Sequence, residues 1–81
     1  MKVFYPQLME FQGLLGLRSL TIIQEDAHRL IPVGVNDYTI TSECETREGA
    51  DVLVTVKYAR NKEDGNMDAV KYTIEWVVGD L

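Results

Sequence analysis

Two side chains in this sequence could serve as a nucleophile and its base: Cys44 and His28, the single cysteine and the single histidine. Covalent catalysis needs such a pair within hydrogen-bond reach and a third group to orient the base. Their settings point the other way. Cys44 ends an alternating stretch, Tyr38, Ile40, Ser42, Cys44, whose apolar face would desolvate the thiol, raise its pKa and leave little thiolate. His28 stands between Ala27 and Arg29 on the polar side of a helical pattern, where a solvated imidazole needs no special role.

Other chemistries fare no better. A zinc site requires three or four converging ligands, which one histidine, one cysteine and scattered carboxylates do not supply. The segment 61–68, with Glu63, Asp64, Gly65, Asn66 and Asp68, is rich in oxygen ligands but lacks the ligand order and terminal glutamate of a calcium loop. It reads as a polar turn. Gly13-Leu14-Leu15-Gly16 has neither a glycine-rich phosphate fingerprint nor the lysine of a P-loop. Glu43 and Glu45 could share acid and base work only in a cleft that separates their pKa values, and an open sheet face is not one. No catalytic residue, metal or cofactor is therefore expected, and an enzyme is the least favoured class.

Acidity is what remains. Thirteen Asp and Glu face eight Lys and Arg, a net charge of -5. That balance opposes direct binding to a phosphate backbone, and the aromatics Tyr38, Tyr58, Tyr72 and Trp76 have no basic frame that would make them a base-stacking platform. The acidic groups cluster as Glu25-Asp26, as Glu43, Glu45, Glu48 and Asp51, and as Glu63, Asp64 and Asp68. One reading is a solvated surface that keeps a small protein soluble. The sharper one is geometric. Carboxylates two apart on a strand stand about 6.6 Å from each other, of the order of the phosphate spacing along a DNA strand. A rigid sheet carrying Glu43, Glu45, Glu48 and Asp51 could then occupy the basic groove of a nucleic-acid-binding protein.

The elements that must hold these residues are clearest from Asp37 onward. Three stretches alternate with the period of two of half-buried strands. The first turns Tyr38, Ile40, Ser42 and Cys44 one way. The second turns Val52, Val54, Val56 and Tyr58, and the third Val70, Tyr72, Ile74, Trp76 and Val78. Short polar connections containing glycine, Arg47-Glu48-Gly49-Ala50 and residues 61–66, predict hairpin loops and hence an antiparallel meander. Glu43, Glu45, Lys57, Lys71 and Glu75 then share the solvated face, where opposite charges across strands would add a few tenths of a kcal/mol each.

Residues 1–36 must cover the buried face. Pro6 to Leu17 suggests one short helix, with the proline in its first turn and Leu8, Phe11 and Leu15 at helical spacing, weakened by Gly13 and Gly16. A second runs from a capping box at Thr21 and Gln24 through Ile23, Ala27 and Leu30 until Pro32 stops it. The competing reading makes residues 19–35 a further hairpin, since isoleucine and valine favour strands.

The expected architecture is thus α+β in a single domain over residues 1–81: one or two short N-terminal helices on a three-stranded antiparallel meander, or a mostly β alternative with an extra N-terminal hairpin. The edge strands would be the first and third of the meander, or their N-terminal neighbours. No apolar run approaches the roughly 18 residues that cross a bilayer, and residues 1–6 show no apolar core of a secretion signal, so a cytoplasmic setting without membrane attachment is expected. The functional expectation is a non-enzymatic module binding another protein or itself. The alternatives are an inhibitor, of the kind phages and mobile elements encode, that imitates nucleic-acid charge against a basic DNA- or RNA-binding partner, and a small structural assembly component.

Overall fold

A computed structural model describes residues 2–77. The elements follow in the order β1 (Lys2–Phe4), α1 (Leu8–Leu14), α2 (Leu17–Leu30), β2 (Asp37–Glu45), β3 (Asp51–Arg60) and β4 (Met67–Trp76). The sheet is antiparallel throughout, with strand order β1-β4-β3-β2, and both helices pack on one face of it. This is the expected α+β class, with a fourth strand that the sequence pattern does not reveal. Three residues are too few to display a period of two. β1 exists because β4 offers it an edge, pairing Val3 with Glu75 and Phe4 with Ile74.

The meander follows the alternation in β2 and β3. Ile40, Ser42 and Cys44 are buried from β2, and Val52, Val54, Val56 and Tyr58 from β3. β4 departs from it. Lys57 faces Lys71, but the next residue, Tyr58, faces Ala69, so Val70 is an extra residue in the ladder. A bulge of this kind shifts the phase by one. Val70, expected in the core, is 57% exposed, whereas Met67 and Ala69 turn inward beside Tyr72 and Trp76. Val78, assigned to the same apolar face, lies outside the described residues.

Both predicted hairpin loops form, and each needs the left-handed backbone that glycine adopts without penalty: Gly49 has φ +91° and Gly65 has φ +74°. On the solvated face the register does not give the opposite-charge pairs anticipated there. Lys57 opposes Lys71, and Glu45 opposes Asp51. What does cross that face is a hydroxyl pair, Thr41 with Thr55 at 3.0 Å, and the Lys71 ammonium lies 5.4 Å from the centre of the Tyr5 ring.

Residues 17–30 are helical, so the hairpin alternative for the N-terminal half does not hold. Two boundaries differ from expectation. Pro6 precedes α1 rather than opening it, and Leu8, expected on the core stripe, is half-exposed while Phe11 and Leu15 are buried. α2 begins at Leu17, because Gly16 sits in an extended N-cap conformation that breaks α1 from α2. Thr21 therefore lies inside the helix and donates its hydroxyl to the Leu17 carbonyl at 2.9 Å, so the Thr21–Gln24 capping box does not form. Ser19 and Ile23 become the buried stripe of α2. Pro32 ends the helix as expected, Ile31 being extended ahead of it.

α2 lies over β2 and is clamped to it: Ser42 donates to Asp26 at 3.0 Å, and the same carboxylate takes Arg29 at 2.9 Å. The helix junction is tied to the first hairpin, where Leu15 bridges to Thr46 and the Arg47 N–H donates to the Leu14 carbonyl. No helix among the described residues is long and apolar enough to cross a membrane.

Candidate functional site

β2 is one edge of the sheet. Hydrogen bonds alternate along an antiparallel ladder, so knowing the bonded pairs at its two ends gives the phase of the whole strand. The Thr46 N–H donates to Ala50 and the Arg60 N–H to Asn36. Even-numbered residues of β2 therefore bond to β3, and the N–H and C=O groups of odd-numbered ones point away from the sheet. At Glu45 those outward groups are satisfied locally. The Ser19 hydroxyl donates to the Glu45 carbonyl at 3.0 Å and accepts from its N–H at 3.2 Å. At Thr39, Thr41 and Glu43 no partner is present among the described residues. The result is a backbone window about 13 Å long, four residue rises at about 3.3 Å each.

This window is guarded by acidic charge alone. Natural edge strands are blunted by charged side chains, lysine above all, and by proline, bulges or shortness. β2 is nine residues long, pairs without a register break and reads DYTITSECE, free of lysine and proline. Its charges are Asp37, Glu43 and Glu45, all exposed. The meander's third strand, β4, is interior because β1 pairs with it, so the second edge belongs to the three-residue β1.

The four carboxylates singled out in the sequence are brought together in part. Glu45 stands opposite Asp51 across the ladder, and Glu43 lies two residues along on the same face. These three line a shallow recess of about 560 Å³ with Arg18 and Arg47. Glu48 is on the hairpin tip and does not line it. None of the four makes an ion pair among the described residues. Arg47, the nearest cation in sequence, instead donates to the Leu15 and Gln12 carbonyls, at 3.1 and 3.3 Å.

The other candidates are placed as follows. Cys44 is buried, and loss of solvation pushes its thiol up; the neighbouring Ser19 hydroxyl acts the other way and the Asp26 charge adds to the rise. His28 is exposed on α2. The polar residues of the second hairpin loop serve the turn itself: Asn61 donates to Asp68 and accepts from the Glu63 N–H, and Asp64 accepts from the Asn66 N–H. No cluster of three potential metal ligands occurs among the described residues. Sequence reasoning missed Ser19 and the outward phase of β2. A serine on a helix carries no mark of its partner strand, and ladder phase is decided by which neighbour is missing.

Comparison of the chain with protein-family models, with curated proteins and with solved structures yields no match.

Proposed function

We propose that this chain is a non-enzymatic protein-interaction module that takes an extended segment of its partner as a fifth strand along β2. The observation that carries this reading is the run of backbone groups at Thr39, Thr41 and Glu43 without partners among the described residues, on a long, regular edge whose charges are all acidic. Strand addition is a common docking mode in which main-chain hydrogen bonds give affinity. A partner segment over this window forms up to about six such bonds, each worth roughly 0.5–1.5 kcal/mol net. The partner is basic, because every charge on the edge strand is acidic and complementary potential favours encounter with cations. Support for a binder over a catalyst comes from the buried, poorly ionised Cys44.

A second reading has one observation in its favour. Glu43, Glu45 and Asp51 share one face without ion pairs, the arrangement that imitation of nucleic-acid charge requires. It makes the chain an inhibitor of a basic DNA- or RNA-binding protein.

One set of variants separates the two. A partner is captured from native lysate at low and high salt, and its affinity is then measured for each variant. Thr41→Pro removes an outward N–H and obstructs an added strand while leaving the β2–β3 bonds in place, and Thr41→Val controls for the lost hydroxyl. The edge reading expects Thr41→Pro to weaken binding at least tenfold at either salt, with the circular dichroism spectrum unchanged and Thr41→Val near wild type. Unchanged affinity in a folded Thr41→Pro chain overturns it. The charge-imitation reading expects salt-sensitive binding that a Glu43→Lys, Glu45→Lys double variant abolishes and Thr41→Pro leaves intact.

A further inference from the structure

A second recess lies away from the β2 edge. α2 runs over β2, and the inner face of β4 is met by Phe11 of α1, whose ring lies 4.4 Å from that of Tyr72 between centroids. Between α2 and the β3–β4 side of the sheet this leaves a groove of roughly 710 Å³. Its walls include Phe11, Ile23, Ala27, Met67 and Ala69, and among the described residues no Asp, Glu, Lys or Arg lines it, in a chain that is 26% charged. That size falls within the range of small-molecule sites, about 300–1,000 Å³.

One largely buried residue in these walls keeps its polar end without an internal partner. Tyr58 is only 8% exposed and lines the groove, yet its hydroxyl has no hydrogen-bond partner among the described residues. No fully enclosed side-chain oxygen or nitrogen there lacks a partner. The Tyr58 hydroxyl therefore opens onto the groove rather than into the core. Tyr72 lies diagonally beside it on the same face, since Tyr58 pairs with Ala69 and Val56 with Tyr72. Burial, above all, pushes both phenols up, so at neutral pH each is a protonated donor. Facing the groove without an internal partner, the Tyr58 hydroxyl is a donor that water or the acceptor of a bound molecule can take up.

We propose that this groove binds an uncharged, largely apolar small molecule carrying one hydrogen-bond acceptor, which the Tyr58 hydroxyl engages. A charged ligand would lose its hydration with no Asp, Glu, Lys or Arg in the walls to replace it, His28 being the one imidazole that lines them. A second copy of the chain is disfavoured by its own net charge of -5. The site is independent of the β2 edge, and neither stands or falls with the other.

The test uses the whole chain and three probes of one shape: 2-acetylnaphthalene, which has an acceptor, 2-ethylnaphthalene, which has none, and the anion 2-naphthoate. Binding is followed by NMR at the methyl groups of Ala27, Met67 and Ala69. Both neutral probes are expected to shift these methyls saturably, with 2-naphthoate at least tenfold weaker. Tyr58→Phe should weaken the ketone about three- to tenfold and leave the hydrocarbon within twofold. Ala69→Leu, which fills the groove, should weaken both at least tenfold. Absence of saturable shifts, shifts that map elsewhere, equal binding of the anion, or equal loss of both neutral probes in Tyr58→Phe overturns the proposal. So does a ligand-free dimer whose formation perturbs the same methyls, which would show that a second copy covers the groove.

Discussion

Ser19 satisfies both backbone groups of Glu45 with one hydroxyl, and so sets where the open part of β2 ends. Ser19→Ala would leave a donor and an acceptor unmade at a largely buried position, a loss of about 1–3 kcal/mol. Urea denaturation should show that loss, read as a lower midpoint at an unchanged slope. Cys44, Tyr58 and Tyr72 give a pH dependence whose sign follows from their upward shifts. Below 9.0, the ordinary value for the thiol, all three are neutral in folded and unfolded chains, and stability is fully present. Above it the unfolded chain releases a proton that the folded chain keeps, so stability falls as pH rises. The decline steepens past 10.0, where ordinary tyrosines ionise. Stability measured from pH 8 to 11 should follow this course, and Cys44→Ala should flatten the portion between 9 and 10 whatever it does to the absolute level.

At the scale of elements, β4 is where pattern and structure part. Read at a strict period of two, Val70 joins Tyr72 and Ile74 on the apolar face. The bulge places Val70 outside and Ile74 at 0% exposure. Val70→Thr should thus change stability by no more than about 0.5 kcal/mol, whereas Ile74→Ala should cost about 2–5 kcal/mol. Equal, large losses in thermal or urea unfolding would mean that the strand runs straight. The helices show a similar division. The apolar spacing of Ile23 and Ala27 and the proline stop were legible in residues 21–32. The start at Leu17 was not, because an extended Gly16 and a threonine inside a helix leave the same local pattern as a cap at Thr21.

For the whole molecule, charge and shape act together. The chain extends 44 × 22 × 20 Å with its acidic edge along β2. Symmetric antiparallel self-pairing of that edge centred on Thr41 would set Asp37 of one copy against Glu45 of the other, and like charges directly opposite are destabilising. The wild-type chain is therefore expected to show no dimer through β2 in sedimentation equilibrium at high micromolar concentration. Asp37→Lys converts the two repulsive pairs into attractive ones and should promote association that added salt weakens.

Periodicity, turn glycines and composition were enough to give the α+β class, three of the four strands, both hairpin loops, the burial of Cys44 and the acidic balance. These depend on local properties: alternation every second residue, positive φ at Gly49 and Gly65, and a count of charges. The tertiary structure alone decided which strand is an edge, which backbone groups of β2 face outward, that Ser19 closes one end of them, and that Tyr58 opens onto an uncovered groove. Each of those depends on which neighbour is absent. An absent neighbour has no sequence of its own to read; it follows from β1 pairing with β4 and from α2 lying over β2 rather than β4.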